Sequence, residues 1–449
     1  MDSRESKPDD FLLASLEVVQ VLNQVGGTGK HWFVTKGAQA VNIDDIVIPW
    51  QSQFWGFGRT LQVEQLERLG GCIDLDPVFD KVHSSLEMLV TEICSFNTEK
   101  EVAFRDGSRC VARLVKPGVY EDPHGSLELD PNASYLITGG IGALGLQVAQ
   151  YLATHGACHL VLTGRSGVST DDQRSTLKAL EDAGVKIEVF AADVSNVDDV
   201  KKVISSMTNL RGIVHAAGIL DDGMLMQQSP DRFIKVSGPK VSGAWNLHSQ
   251  TLDRPLEFFV LFSSVASIIG SPGQSNYAAA NAFMDGLAQH RKQQGLVATA
   301  INWGPWADVG MASSDIVLQR LMKDGWQPMN AGQGCNFIGH LLTARDLPQA
   351  AVLPIDWGQF ASNIPGANNW SILSHLVPKE RSSPLVGNAA ELAAQRVKKA
   401  LPNQRIDLIS SYLLERIAQT LRVQAADLDE LEQLGDLGVD SLTSVEIQL

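Results

Sequence analysis

No stretch of this 449-residue sequence holds about 18 consecutive apolar residues, the length a helix needs to cross a bilayer, so no membrane span is expected. The first ten residues, Met1–Asp10, lack the apolar core of a secretory signal and read as a polar, disordered leader. The five cysteines (Cys72, Cys94, Cys110, Cys158 and Cys335) form no C-x-x-C pair. That spacing suits neither a disulfide framework nor a zinc site, so no metal is expected and a reducing cytoplasm is the simplest location. Clustered basic residues are also missing. At a net charge of −15 the chain offers no broad surface to nucleic acid, although a local basic pocket for one phosphate stays compatible with it. Repeats and long low-complexity tracts are absent. What is present is 44% apolar residues, enough for a large core, and a length that favours two or three domains.

From Phe11 to about Lys116, helical spacing (Leu12–Gln24) alternates with strand-like runs (His31–Thr35 and Cys110–Leu114), which suggests an α/β unit. A clearer unit begins at Tyr135. Its apolar runs, 135–138, 159–163, 186–190, 212–215, 258–262 and 298–302, alternate with helical stretches at 144–154, 172–183, 197–207, 229–250 and 276–293. That alternation implies a doubly wound parallel sheet covered on both faces. After Pro365 the composition shifts; Ser382, Ser383, Pro384 and Gly387 mark a linker, and from Glu391 the pattern is helical.

The run Thr138-Gly139-Gly140-Ile141-Gly142-Ala143-Leu144-Gly145 contains G-x-G-x-x-G between an apolar strand and an amphipathic helix, the context that motif needs. Glycines let the backbone approach a pyrophosphate, and the helix N-terminus offers free N–H groups. The second strand ends at Thr163-Gly164-Arg165-Ser166. An acidic residue would hold a ribose 2′-hydroxyl there; Arg165 instead matches a 2′-phosphate and favours NADPH. Asp193, with Val194 beside it, could hold the adenine amino group, and Ala216, Ala217 and Gly218 leave room for the ribose. A second glycine cluster, Gly26-Gly27-Thr28-Gly29-Lys30, imitates a phosphate loop but lies after a helix and before a strand, so it reads as a connecting turn.

Ser264 closes an apolar strand; Tyr277 opens a helix thirteen residues later, and Asn281 follows at i+4 on the same helix face. Ketone reduction needs a hydride, a proton donor and a group that fixes the carbonyl. Tyr277 can give the proton, helped by a cation that stabilises its phenolate. Lys240 is a candidate for that cation, Ser264 for the carbonyl partner, and Asn281 can hold the lysine directly or through water.

With these residues the chain resembles the ketoreductase domains of type I polyketide synthases, a branch of the short-chain dehydrogenases, from about Phe11 to Pro365. The most specific stretches are 135–146, 215–225, 258–286 and 300–311, the last reading Ala-Ile-Asn-Trp-Gly-Pro-Trp-Ala-Asp-Val-Gly-Met, with Gly304 and Pro305 as further cofactor candidates. Ordinary short-chain dehydrogenases carry Tyr-x-x-x-Lys; here Asn281 takes the lysine's place and Lys240 stands upstream, as in the polyketide branch. The resemblance implies two Rossmann-like halves: residues 1–118 as a structural half without cofactor, and 119–375 as the catalytic half, with a lid at about Met311–Trp326. A linker at 376–390 and the front part of a carrier domain at 391–449 would follow. The implied partners are a β-ketoacyl chain on an acyl carrier domain and other synthase domains. Leu220-Asp221-Asp222 matches the B-type signature. Ile269 stands where A-type domains have tryptophan, and Ala279 where epimerising B-type domains have proline, so a D-configured, non-epimerised product is expected.

Leu437-Gly438-Val439-Asp440-Ser441-Leu442 resembles the carrier motif whose serine bears 4′-phosphopantetheine. Ser441 would sit at a helix N-terminus, where a phosphodiester is favoured. Only nine residues run from Ser441 to Leu449, about 13 Å of helix, so poor attachment of the arm is expected. A reductively silent scaffold would not need the full Lys-Ser-Tyr-Asn set, and a free-standing reductase for a soluble ketone would not need the carrier motif.

Overall fold

A computed structural model describes residues 8–27, 29–78, 82–95, 98–116, 127–307, 315–343, 347–364, 366–377, 397, 401 and 404–421. The chain divides into two units, Met1–Leu376 and Val377–Leu449. The first unit holds two sheets.

In the first sheet β1 (His31–Lys36), β2 (Leu69–Leu75) and β3 (Glu101–Arg105) run parallel, and β4 (Ser108–Val111) returns antiparallel to β3. The hairpin turn is Asp106-Gly107, with φ of 50° and 73°, the backbone that a two-residue turn requires. This strand lies slightly upstream of the expected Cys110–Leu114. Helices α1 (Pro8–Gln24), α2 (Pro49–Glu64) and α3 (Val82–Cys94) accompany the sheet. Helix α1 begins inside the stretch read as a leader. Leu12, Leu16 and Val19 form a buried stripe against the Phe33, Trp55 and Phe57 cluster, and Pro8 suits a first helical turn. The glycine run that imitates a phosphate loop does connect α1 to β1.

At the carboxyl ends of β1 to β3, where a nucleotide crevice would open, an ionic cluster fills the space. The Arg105 guanidinium donates to Asp74 Oδ2 (2.6 Å), Asp45 Oδ2 (2.8 Å) and the Gln39 carbonyl (2.6 Å). Asp74 Oδ1 also accepts from Thr35 Oγ1 and the Ala38 amide, each at 2.7 Å. Burial pushes the Asp74 carboxyl up, and Arg105 with these donors pulls it back. A buried pair of this kind holds only when every oxygen and N–H is satisfied.

The second sheet has seven parallel strands in the order β11-β10-β9-β8-β5-β6-β7. They are β5 (Ser134–Thr138), β6 (His159–Gly164), β7 (Lys186–Ala191), β8 (Leu210–His215), β9 (Phe258–Ser264), β10 (Thr299–Trp303) and β11 (Gln349–Val352). The expected strands are all present with ends moved by one or two residues; β11 is an addition. Strand β5 pairs with both β6 and β8, so the sheet is a Rossmann-type one whose order reverses at β5, and ligands bind at the carboxyl ends beside such a reversal. Helices α4 (Ala143–Thr154), α5 (Asp171–Asp182), α6 (Val197–Ser206), α7 (Pro230–Ser237), α8 (Gly243–Ser249), α9 (Ala266–Ile269), α10 (Ser275–Gln293), α11 (Asp315–Lys323), α12 (Ala331–Thr343) and α13 (Trp357–Asn363) complete the unit.

The two sheets share one interior through α2 and α10. A Cβ on Gly56 of α2 would lie 2.6 Å from the Ala278 carbonyl carbon of α10, so only glycine allows this approach. Ala279 of α10 is buried in the first half's own cluster with Phe57 and Leu61. In the second unit the described part is chiefly α14 (Arg405–Leu421), which falls within the stretch read as helical from Glu391; Ser441 and its motif lie outside the described residues. Among the described residues no helix is long and apolar enough to cross a membrane.

Candidate active site

The glycine turn between β5 and α4 adopts the geometry that its sequence implies. Gly139 has φ +68°, and a Cβ there would lie 2.8 Å from the backbone of Ala217. Gly140 donates to the Thr163 carbonyl (2.9 Å), which ties the turn to β6. A Cβ on Gly145 would meet the Gly140 Cα at 2.6 Å, so α4 packs directly on the turn. Gly142 is the N-cap residue and has no side chain to satisfy the first N–H groups of α4. Those groups therefore remain available to an anion, and the backbone cradle fits the pyrophosphate of a dinucleotide.

A groove of about 310 Å³ opens beside this turn. Its wall includes the expected Gly139, Arg165, Asp193, Val194, Ala217 and Gly218, and also Thr163, Gly164, Ser195, Ile219, Ile234, Lys235, Gly238 and Pro239, which the sequence reading did not single out. Thr138, Gly140, Ile141, Gly142, Gly145, Ala216, Gly304 and Pro305 are not part of that wall. Thr138 instead bonds His215 Nδ1 through its hydroxyl (2.6 Å), and Gly304 and Pro305 follow β10, bonded to Val352 and Met329. Arg165 is exposed at the groove and makes no hydrogen bond or ion pair among the described residues. Asp193 Oδ1 accepts from the amide and hydroxyl of Ser195, which fixes the turn before α6. Burial, with Lys240 adding to it, pushes His215 down to about 3, so its ring is neutral.

The four reductive candidates come together at the end of β9. Lys240 is buried, and its Nζ donates to the Phe262 carbonyl and to Asn281 Oδ1, each at 3.0 Å. It stands 4.9 Å from the centre of the Tyr277 ring. Asn281 Nδ2 donates to the backbone carbonyl of Tyr277 one helical turn earlier (2.7 Å), so the amide holds the lysine directly and ties it to the α10 backbone at Tyr277. Ser264 Oγ accepts from the Ala266 amide (3.2 Å), which leaves its own O–H free to donate. Burial pushes Tyr277 up to about 12, while the nearby Asn281 and Ser264 side chains pull the other way. Burial pushes Lys240 down to about 7 against the attraction of Asp285.

The helix that carries Lys240 departs from the uninterrupted 229–250 stretch expected. Between α7 and α8, residues Gly238–Ser242 form one π turn. Pro239 has no N–H for the α-helical ladder and its ring would crowd the preceding turn; a widened turn relieves both and turns Lys240 inward. Behind the tetrad lies a polar cluster that sequence reading missed. Asp285, also on α10, accepts from Ser267 Oγ (2.6 Å) and Asn302 Nδ2 (2.9 Å). Nothing in a single sequence distinguishes a buried Asp285 from a solvated helical one.

Leu220-Asp221-Asp222 lies on the loop after β8, against the start of α10. Gln274 Nε2 donates to Asp222 Oδ2 (3.0 Å) and Asn276 Nδ2 to the Asp221 carbonyl (2.8 Å). Lys235 and Arg232 pair with the Asp221 carboxylate, at 2.7 and 3.4 Å. Ile269 is buried on α9. Of the expected lid, residues 311–314 lie outside the described residues, and 315–323 are α11.

Comparison with known proteins adds to this geometry. The KR domain family model matches residues 133–308. Polyketide synthase GfsA of Streptomyces halstedii is 34% identical over 460 residues, covering 97% of this chain and 6% of that protein; GfsB of the same organism is 32% identical over all of this chain and 8% of its own length. The chain thus spans only a small part of these curated relatives. A solved structure of an A1-type ketoreductase is 33% identical, with TM-score 0.74 over 80% of this chain and 77% of that one. Structures of A-type ketoreductases from a modular polyketide synthase are 32% identical, with TM-score 0.74 over 80% and 76%. With its glycine turn, its Lys240–Asn281 pair held against the Tyr277 backbone and this shared architecture, the chain belongs to the ketoreductases of modular polyketide synthases.

Proposed function

We propose that this ketoreductase uses NADPH to reduce the β-carbonyl of an acyl thioester presented by a carrier domain, and that the product is the D-β-hydroxyacyl thioester without epimerisation. The observation that carries the reading is the Lys240–Asn281 pair held against the Tyr277 backbone, beside a Ser264 hydroxyl whose O–H can still donate. Bound NADPH would supply the hydride gained by the β-carbon. Ser264 donates a hydrogen bond to the ketone oxygen and holds it beside Tyr277. Tyr277 gives its phenolic proton to that oxygen as negative charge develops there. Lys240, placed by Phe262 and Asn281, stabilises the phenolate that remains. Arg165, exposed at the groove and without a hydrogen bond or ion pair among the described residues, supports a 2′-phosphate and hence NADPH over NADH.

The stereochemical part rests on Leu220-Asp221-Asp222 and on Ile269 in place of the A-type tryptophan. It separates this chain from the A-type proteins it resembles in sequence and fold. Ser441 is proposed as the attachment point of phosphopantetheine. The test is NADPH turnover of a synthetic β-ketoacyl thioester with chiral analysis of the product: a D-hydroxy product is expected, an L product overturns the B-type assignment, and absence of turnover overturns the reductase reading.

A further inference from the structure

Glu64 ends α2, in the first half, yet its carboxylate is spent on two loops of the catalytic half. Oε2 accepts from the Leu225 amide at 2.7 Å, just after the Leu220-Asp221-Asp222 loop. Oε1 accepts from the Gly273 amide at 2.9 Å, four residues before Tyr277. Both bonds are buried, and Glu64 has no ion pair among the described residues. A carboxylate desolvated without a cation is an expensive way to fill a surface between two halves. Burial pushes its carboxyl up to about 7, with the two amides pulling it back.

Those two loops are also bound to each other. The Gly223 amide donates to the Gly273 carbonyl (2.8 Å), and Gln274 and Asn276 reach Asp222 and the Asp221 carbonyl. Asn276 Oδ1 then accepts from the Tyr277 amide at 2.7 Å. A second tie comes from the same half: Gln20 of α1 donates from Nε2 to the carbonyls of Leu225 and Gln228, both at 2.9 Å. Carboxylate and amide together thus grip the Leu225 backbone on its N–H and its C=O.

We propose that Glu64, with Gln20 beside it, is a positioning residue for the reduction: the first half holds the 220–228 loop and the Gly273 turn in one register, and so fixes the side from which a substrate reaches Tyr277. This rests on the reductase reading above. Glu64→Gln keeps one acceptor oxygen but turns an NH2 toward the second amide, donor against donor, at nearly constant volume. Gln20→Ala removes the other grip at a half-buried position.

The experiment uses the full chain, NADPH and a synthetic β-ketoacyl thioester, and reads kcat, KM, product enantiomer ratio, NADPH affinity and thermal unfolding. Turnover by the wild type comes first, because its absence refutes the reductase reading and not this one. For Glu64→Gln, kcat/KM falls roughly tenfold to a hundredfold, the scale of a catalytic misplacement near one ångström. The enantiomer ratio erodes while NADPH affinity stays at the wild-type value. Gln20→Ala shifts the ratio in the same direction. If Glu64→Gln does not fold, the Gln20→Ala ratio decides. A wild-type enantiomer ratio in whichever variant folds, even with a lowered unfolding temperature, reduces Glu64 to a structural residue and overturns the proposal.

Discussion

Replacing Lys240 by methionine separates the lysine's chemistry from its burial. In the unfolded chain Lys240 keeps its proton to its ordinary value of 10.5; in the folded chain it does so only to about 7. Between those values the unfolded chain binds the extra proton, so folding becomes more favourable as pH rises, by about 1.4 kcal/mol per unit. Below about pH 7 both states are protonated and the contribution is flat. From pH 7.5 to 9.5 the wild type should therefore gain about 2–3 kcal/mol relative to Lys240→Met. Methionine leaves the Phe262 carbonyl and Asn281 Oδ1 without their donor, at about 1–3 kcal/mol each, but that loss does not vary with pH. The slope is thus diagnostic and the offset is not. Urea unfolding of both proteins over this range measures it, while NADPH turnover should fall about 100-fold or more in the variant. A stability difference that stays level from pH 7.5 to 9.5 refutes the claim that the buried ammonium is held against desolvation.

Tyr277→Phe should lower turnover by about 100-fold or more with NADPH binding unchanged, as read by single-turnover kinetics and a binding titration; near-wild-type turnover would dismiss Tyr277 as the proton donor. Arg165→Ala should raise the KM for NADPH by roughly tenfold or more and leave that for NADH in place, the expected loss of a guanidinium–phosphate pair; equal effects on both would place Arg165 outside the 2′-phosphate site. Gly139→Ala puts a Cβ 2.8 Å from Ala217 at a positive φ, so it should cost about 1–2 kcal/mol of stability and more than that in dinucleotide affinity, seen by thermal unfolding and titration; unchanged affinity would exclude the turn from the site.

The second sheet was legible because its strands are nearly continuous apolar runs separated by long amphipathic helices, and the glycine turn announced its own backbone. The first sheet was less so. Strand β2 reads Leu-Gly-Gly-Cys-Ile-Asp-Leu, and its two glycines and aspartate break the apolar run even though every residue in it is buried. Strand β3 is five residues with a charge at each end, Glu101 and Arg105, both partnered inside the protein. The Asp106-Gly107 dipeptide did carry a hairpin signal that could have located β3 and β4. At the site, Tyr277, Ser264, Lys240 and Asn281, which the structure brings together, could be named from the sequence because their types and spacing suit ketone reduction. Glu64, Asp285 and Asn302 were not, since their roles depend on partners up to some two hundred residues away. A charge at a helix end looks the same in sequence whether water or a distant amide receives it.

Because Gly56 lets α2 lie directly on the Ala278–Ala279 face of the helix that bears Tyr277, the first half cannot be trimmed away as an accessory. Cutting the chain near the limits of the family match, 133–308, would bare that alanine face to water and remove both grips on the Leu225 backbone. Anyone moving this ketoreductase into another setting should therefore transfer both halves as one inherited block.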